Sequence, residues 1–274
     1  MILYIIITCY VLLYVSINLL LLKIKKTVYM HSIKPISNNL SKIVICNYDN
    51  RNTPIYRYCK RNVEEYCKLH GYINRNFKHC DHSPWWCKLF FIKKLLQEKT
   101  KHNTNAYDYI VWIDSDAIFV KPDIRIESVI DDRYSITIGV DNYNVSNIIK
   151  LNGTFKINSG FFIIRNNDIG IEFINECISI YESQKSRCLQ SVITKKLKST
   201  YAGYCYEQYV MAKLIANEYK NHTNMLDRNI VWNDASYPTR IDPFVYHIWQ
   251  WMNSKGLAQL ERKFDEVEFK KKIF

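Results

Sequence analysis

Two aspartates separated by one residue are the clearest chemical feature of the chain. Asp114 and Asp116 directly follow the apolar run Tyr109–Ile113 (YIVWI). Two carboxylates that leave a buried strand together repel each other and are each costly to bury unpaired, and a divalent cation removes both costs. Carboxylate oxygens suit Mn²⁺ or Mg²⁺, and such ions keep coordination positions open for substrate phosphates. The motif therefore predicts a Mn²⁺ (or Mg²⁺) site at the end of this strand, and the alternative is a plain surface turn.

A histidine late in the chain is the candidate for a third ligand. His247 follows the run PFVY, and its ring nitrogen could complete the site begun by Asp114 and Asp116. Taken alone, such a histidine is more often structural. Lys255, eight residues further on, could neutralise a diphosphate, although a lysine near a C-terminus is usually solvated.

The elements that must position these residues alternate between strands and helices. Short β-branched runs predict buried strands, and apolar residues at helical spacing predict helices. The predicted strands are residues 42–46, 109–113, 135–140 and 160–165. The predicted helices are residues 56–70, 85–98, 171–181 and 207–218. This alternation predicts an α/β sheet with functional residues at the carboxyl ends of its strands.

Composition excludes several classes of protein. The 274 residues are 48% hydrophobic and 23% charged, which permits a sizeable core and excludes global disorder. With only 7 glycines, and neither GxGxxG nor GxxxxGK[ST], the chain lacks the usual phosphate cradles of Rossmann dinucleotide sites and P-loops. The net charge of +12 favours an anionic partner. No basic stretch interleaves with aromatics as in a nucleic-acid module, so we expect no nucleic-acid partner.

The first 40 residues are predicted to lie outside the folded domain. Residues 2–22 carry no charge and could span a bilayer as a helix, so we expect a membrane anchor (1–22) and a short stem (23–40). By the positive-inside rule, the region after this segment would lie in the cytosol, because it begins with the basic residues Lys23, Lys25 and Lys26. Asn-x-Ser/Thr sequons favour a lumenal domain instead; they begin at Asn39, Asn144, Asn152 and Asn221. The prediction is a single-pass type II protein of the Golgi or endoplasmic reticulum, with its orientation open.

Nine cysteines leave at least one unpaired. Four of them cluster at Cys59, Cys67, Cys80 and Cys87 without a CxxC pair, which favours one or two disulfides or buried thiols over zinc.

Five stretches carry a resemblance to a known family. They are residues 61–72 (RNVEEYCKLHGY), 86–95 (WCKLFFIKKL), 109–117 (YIVWIDSDA), 158–166 (NSGFFIIRN) and Glu207-Gln208. In their order and spacing, from about Ile43 to Gly256, the chain resembles the galactosyl/xylosyl/mannosyltransferases of glycosyltransferase family 34, which have the GT-A fold. The resemblance implies a GT-A catalytic domain over residues 41–256, with a single Rossmann-like mixed sheet flanked by helices. A charged tail (257–274) would follow.

The resemblance also implies an activity. It is a metal-dependent, retaining transfer of a hexose or pentose from a nucleotide sugar (UDP-galactose or UDP-xylose type) to a glycan or glycoprotein acceptor. Asp114, Asp116 and His247 would hold the metal, Gln208 would face the anomeric carbon, and Glu207 would orient sugar hydroxyls. The residues implied in donor binding are Asn47, Lys88, Ser115, Asn158, Ser159, Gly160 and Lys255. A homo-oligomer is compatible with this reading.

The chain departs from the family pattern at two positions. Tyr206 replaces one acidic residue of the triplet that ends in Gln208, and Met252 stands where the family commonly has a lysine. Two mechanisms are open, a front-face route and a double displacement with Glu207 as nucleophile; we favour the front-face route.

Other functions also remain open. A GDP-mannose-dependent mannosyltransferase would have the same fold. The alternatives from other classes are a haloacid-dehalogenase-type phosphohydrolase and an inactive glycan-binding homologue.

Overall fold

The computed structural model describes residues 41–51, 53–141, 156–193, 203–233 and 243–247. Lys255, the segment predicted as an anchor, the stem and the charged tail lie outside these ranges. In chain order the strands are β1 (Ile43–Tyr48), β2 (Ile73–Phe77), β3 (Tyr109–Ile113), β4 (Ala117–Phe119), β5 (Ile136–Val140), β6 (Ile157–Arg165), β7 (Thr223–Leu226), β8 (Val231–Asn233) and β9 (Val245–His247). The α-helices are α1 (Pro54–His70), α2 (Pro84–Gln97), α3 (Asp168–Ile193) and α4 (Glu207–Asn217).

Six strands form a mixed sheet in the order β2-β1-β3-β6-β5-β7. Strand β1 is parallel to β2 and β3, and β7 is parallel to β5, whereas β6 is antiparallel to both of its neighbours. Helices cover the sheet, so the predicted α/β class with a mixed sheet is confirmed. The run YIVWI is apolar throughout because β3 is central and all five of its residues are buried.

The two faces of the sheet carry separate parts of the core. Phe162 of β6 packs with Trp86 and Phe173 on the face covered by α2, α3 and α4. Phe161, the next residue, packs with Phe119 and Tyr66 on the other face, where α1 lies. Successive strand residues point to opposite faces, so β6 anchors both halves of the core.

A second, three-stranded sheet in the order β4-β9-β8 brings the end of the described chain back to the aspartate motif. Strand β4 begins directly after Asp116. In the antiparallel β4–β9 register Ala117 pairs with His247, and in the parallel β8–β9 register Asn233 pairs with His247. This sheet therefore places a histidine 131 residues away in sequence beside the motif.

Helix ends follow their sequence signals. The Thr53 hydroxyl caps α1 by accepting from the Tyr56 amide, Pro54 occupies the first turn, and Gly71 ends the helix in the left-handed region at φ 74°. Helix α2 likewise begins with Pro84. The chain leaves α1 at Gly71 and enters β2 at Ile73. This strand was not predicted, because its half-exposed INRNF sequence lacks an apolar pattern.

Disulfides join Cys80 to Cys87 and Cys188 to Cys205. Cys59 and Cys67, from the cluster noted in the sequence, are buried thiols. The first disulfide links the start of α2 to the segment before that helix. The second links the C-terminal part of α3 to the residues that lead into α4.

The structure contradicts the predicted localisation as a single-pass membrane protein of the Golgi or endoplasmic reticulum. Within the described ranges no helix is both long and apolar enough to cross a bilayer. The longest, α3 with 26 residues, carries charged side chains along its length, which a hydrocarbon core disfavours. The predicted anchor lies outside the described residues.

Candidate metal and donor site

Three potential metal ligands meet at the carboxyl end of β3. Ligand atoms of Asp114, Asp116 and His247 all lie within 4.8 Å of one another. His247 Nε2 is 3.1 Å from Asp116 Oδ1 and 3.8 Å from Asp114 Oδ2. The Asp114 amide donates to Gly160 O, and the Ala117 amide donates to Asp114 O, so a tight turn after β3 turns both carboxylates to one side.

The charges of the cluster fit a divalent cation. Burial disfavours the ionised form of Asp114, yet Lys88 and His247 hold its pKa below the usual value. Burial alone would lower the pKa of His247, but the nearby carboxylates of Asp116 and Asp114 raise it above the ordinary histidine value. The two carboxylates therefore favour a positive charge beside them, which a bound cation would supply while His247 offers a neutral ring nitrogen. Two carboxylate oxygens and one imidazole nitrogen form a ligand set that suits Mn²⁺ or Mg²⁺.

The imidazole of His247 is enclosed on several sides. Its Nδ1 lies 3.0 Å from Asn233 Oδ1, and a Cβ at position 160 would lie 2.3 Å from both Cε1 and Nδ1 of the ring. Gly160 therefore makes room for His247, and Asn158 accepts the Gly160 amide at 2.8 Å. The resemblance implied contact between Gly160 and the donor, whereas the contact that the structure describes is with the ring.

Lys88 is a buried bridge between two carboxylates. Its Nζ lies 3.1 Å from Asp114 Oδ1 and 3.0 Å from Glu207 Oε1, and it donates to Ser159 O at 3.2 Å. Burial would lower the pKa of Lys88, but Asp114 and Glu207 raise it well above its ordinary value, so the ammonium stays charged. Lys88 belongs to α2, and its side chain is only 8% exposed. Lys88 thus connects the metal cluster to the start of α4.

Glu207 and Gln208 occupy different environments despite being neighbours. Glu207 is 3% exposed, and its Oε1 accepts the Ser159 hydroxyl at 2.8 Å in addition to the Lys88 contact. Gln208 is half-buried, and its Oε1 accepts the Ser159 amide at 3.0 Å. A backbone N–H can only donate, so this contact identifies the accepting atom as the Gln208 oxygen, and Nε2 is the remaining donor of the side chain. Glu207 is therefore a charge partner of Lys88 and a hydrogen-bond acceptor for Ser159.

A second charged pair lies at the end of β1. Arg51 donates from Nε and Nη2 to Asp49, and its Nη2 lies 3.4 Å from Ser115 Oγ, the central residue of the aspartate motif. Burial opposes ionisation of Asp49, but hydrogen bonds from Arg51 and Ser115 hold its pKa below the usual value. Asn47, also at this strand end, is buried, and its Oδ1 has no hydrogen-bond partner within the described ranges. This edge therefore adds polar groups beside the motif.

Most of the predicted site residues meet around the end of β3. The connected set, by direct contact or through one intermediate residue, comprises Asp114, Ser115, Asp116, Lys88, Asn158, Ser159, Gly160, Glu207, Gln208 and His247. Within the described ranges Asn47 Oδ1 forms no hydrogen bond to this set, and Lys255 lies outside those ranges.

The sequence reasoning missed four residues that touch the set, namely Asp49, Arg51, Trp112 and Asn233. Trp112 offered a signal, because an indole N–H in a buried strand needs an acceptor; it donates to Asp114 Oδ1 at 2.6 Å.

Comparison with known proteins places the chain among glycosyltransferases. The galactosyl transferase GMA12/MNN10 family matches residues 39–229. Galactomannan galactosyltransferase 1 of Cyamopsis tetragonoloba is 22% identical over 227 residues, which is 79% of this chain and 46% of that protein. The chain thus spans about half the length of this curated relative.

Solved structures share the fold. A glycosyltransferase involved in the glycosylation of the major capsid of PBCV-1 superposes with a TM-score of 0.54 at 17% identity, covering 82% of this chain and 99% of that one. The apo-form glycosyltransferase GlyE of Streptococcus pneumoniae TIGR4 gives a TM-score of 0.50 at 13% identity, with coverages of 84% and 64%. At these identities the likeness shows the fold, which is of the GT-A type.

Proposed function

The chain belongs to the galactosyl transferase GMA12/MNN10 family, and on that premise we propose that it is a metal-dependent glycosyltransferase. It would move a hexose or pentose from a nucleotide sugar to a glycan acceptor. The observation that carries the proposal is the convergence of Asp114, Asp116 and His247 at the end of β3. These three residues would hold a divalent cation, which would supply Lewis-acid stabilisation of the departing diphosphate.

The residues around the cluster have distinct proposed roles. Lys88, fixed between Asp114 and Glu207, keeps the Asp114 carboxylate ionised and oriented. Gln208 offers its Nε2 group to the donor sugar, because Ser159 already occupies its oxygen. Arg51, beside Ser115, adds positive charge at the nucleotide side of the site.

The contacts of Glu207 favour the front-face route. A double displacement needs a carboxylate nucleophile free to reach the anomeric carbon. Glu207 is buried and bound by both Lys88 and Ser159, so it cannot serve without breaking an ion pair. In the front-face route the bond from the anomeric carbon to the diphosphate breaks with its electron pair leaving on the phosphate oxygen. The acceptor oxygen then forms the new bond on the same face and passes its proton to that phosphate.

UDP-galactose is the first donor to test. The family description and the relative from Cyamopsis tetragonoloba both name galactosyl transfer. UDP-xylose, UDP-glucose and GDP-mannose follow in the same screen, with a glycan acceptor. The phosphohydrolase alternative is not retained, because it requires Asp114 as a free nucleophile and both Trp112 and Lys88 bind that carboxylate.

The experiment is a donor screen on the purified full-length chain with Mn²⁺, with Asp116→Asn as the isosteric control. The expected result is Mn²⁺-dependent cleavage of one nucleotide sugar by the native chain, reduced at least about 100-fold in the control, since a metal ligand is lost. Glycan binding without cleavage of any donor would instead indicate the inactive homologue. Cleavage at an equal rate in Asp116→Asn would overturn the proposed site.

A further inference from the structure

Asn233 is a fully buried carboxamide that lies beside His247 in the β8–β9 register. We propose that Asn233 is a positioning residue whose carboxamide fixes the tautomer and ring orientation of His247, so that Nε2 offers its lone pair to the metal. The inference rests on the metal site of the proposed function and deepens it, because it explains how a neutral histidine becomes a ligand at one chosen nitrogen.

The orientation of the Asn233 carboxamide is fixed by a backbone carbonyl. Its Nδ2 donates to Val140 O at 3.0 Å, and a carbonyl can only accept. The opposite flip would set oxygen against oxygen at Val140 and leave a buried carbonyl unpaired, which is costly. The Asn233 oxygen is therefore the atom that lies 3.0 Å from His247 Nδ1.

This orientation determines where the imidazole carries its hydrogen. The Asn233 oxygen has no hydrogen to donate, so His247 Nδ1 must be the N–H that donates to it. A neutral imidazole has one N–H, and placing it on Nδ1 leaves the lone pair on Nε2. Nε2 is the nitrogen that lies 3.1 Å from Asp116 Oδ1, inside the ligand cluster. The other tautomer would direct an N–H at the ion and set two lone pairs against each other at Asn233.

Packing prevents the ring from escaping this arrangement. The absent side chain at Gly160 leaves space that the His247 ring fills, and the ring is 6% exposed. A ring flip would move Nδ1 away from Asn233 and direct a carbon toward one of its two polar partners. The enclosure and the hydrogen bond together hold one orientation.

An amide suits this position better than a carboxylate. Asp114 and Asp116 already bring two negative charges, and a third acid beside the ring would add repulsion in a buried place. Asn233 supplies the acceptor without charge and also satisfies Val140 O. Asn233→Asp keeps an oxygen acceptor for Nδ1 but loses the donor to Val140, so the two functions of the amide can be separated.

The test uses the full-length chain and Mn²⁺ alone as the probe, with free Mn²⁺ measured by electron paramagnetic resonance. Asn233→Leu removes the acceptor and is expected to weaken Mn²⁺ binding about 10–100-fold, the usual effect of losing a hydrogen-bond partner behind a metal-bound histidine. Asn233→Asp restores the acceptor and is expected to recover most of that loss.

The matched control is Asn166→Leu. Asn166 is a buried amide that also donates to a backbone carbonyl, Tyr107 O at 2.9 Å, but it lies at the opposite end of β3 from the cluster. We expect the control to lower thermal stability and to leave Mn²⁺ affinity unchanged.

A second measurement uses only the native chain, so it does not require any variant to fold. The ¹⁵N spectrum of histidine-labelled native chain with Mg²⁺ should show His247 protonated at Nδ1. A proton on Nε2, or unchanged Mn²⁺ affinity in folded Asn233→Leu, would overturn the inference while the metal site stands. Absence of Mn²⁺ binding by the native chain would overturn the proposed function itself, and the inference with it.

Discussion

Gly160→Ala tests whether the His247 ring depends on the missing side chain of its neighbour. The added methyl would lie 2.3 Å from Cε1 and Nδ1 of the ring and 2.9 Å from Asn158 Oδ1. Carbon atoms pack at about 3.5–4.0 Å, so the ring must retreat by more than about 1 Å. Ligand distances in metal sites hold within about 0.2 Å, so this displacement removes His247 from the ligand set.

The magnitude follows from the same contact. Overpacking a filled site costs about 1–3 kcal/mol, and the free energy of unfolding of metal-free Gly160→Ala should fall by that amount. If the clash with His247 is the cause, most of the cost should disappear when the ring is absent. The part due to Asn158 should remain, because that contact does not involve the ring.

The assay is a double-mutant cycle by urea denaturation without metal. It compares the native chain, Gly160→Ala, His247→Ala and the double variant. We expect most, but not all, of the cost of about 1–3 kcal/mol for Gly160→Ala to be absent in the His247→Ala background. Equal costs in the two backgrounds would refute the reasoning, because the methyl would then be acting on something other than the ring.

Three further predictions follow from the buried charges. Lys88→Met leaves the carboxylates of Asp114 and Glu207 without their shared cation and should lower the metal-free unfolding free energy by about 3–5 kcal/mol; a urea-denaturation loss below about 1 kcal/mol would contradict the bridge. Burial would lower the folded-state pKa of His247, but Asp116 and Asp114 raise it. Protonated His247 therefore stabilises the folded, metal-free chain fully below about pH 6.5, and this contribution to the free energy of unfolding is lost as the pH rises through the raised pKa. Because Mn²⁺ takes the place of that proton, the Mn²⁺-induced rise in melting temperature should grow from about pH 5.5 to 8.5, and a rise independent of pH in scanning fluorimetry would argue against His247 as a ligand. Glu207→Gln should slow transfer without abolishing it, since Glu207 positions Lys88; intact-mass detection of a glycosyl adduct on Glu207 in the native chain would show the double displacement instead.

Apolar periodicity located most of the elements of the central sheet. Strand β3 was predicted at its observed bounds, and α1 and α2 within two residues at each end. The edge strands β2 and β7 and the three-residue strands β4, β8 and β9 were missed, because such short or half-exposed segments carry too few residues for a pattern. Strands β4, β8 and β9 are the ones that bring His247 to the motif.

The candidate site was predictable where residue type alone limits the chemistry. Two carboxylates after a buried strand pointed to a cation, and the structure brings His247 to them. The roles of Lys88, Gly160 and Asn233 depend on contacts across 14 to 119 residues of sequence, which no local pattern encodes. The sequence pattern predicted that Lys88 lies in an amphipathic helix. Its two carboxylate partners are identified only by the structure, which brings α2, β3 and α4 together.

Binding of a nucleoside diphosphate with and without Mn²⁺ tests the central claim most directly. The claim is that Asp114, Asp116 and His247 hold the ion that receives the leaving diphosphate. Calorimetry with UDP, and with GDP in parallel, should show that Mn²⁺ tightens binding of one of them at least about 10-fold in the native chain, or about 1.4 kcal/mol. Asp116→Asn should lose this enhancement. Equal affinity with and without Mn²⁺, or an enhancement that survives in Asp116→Asn, would contradict the account.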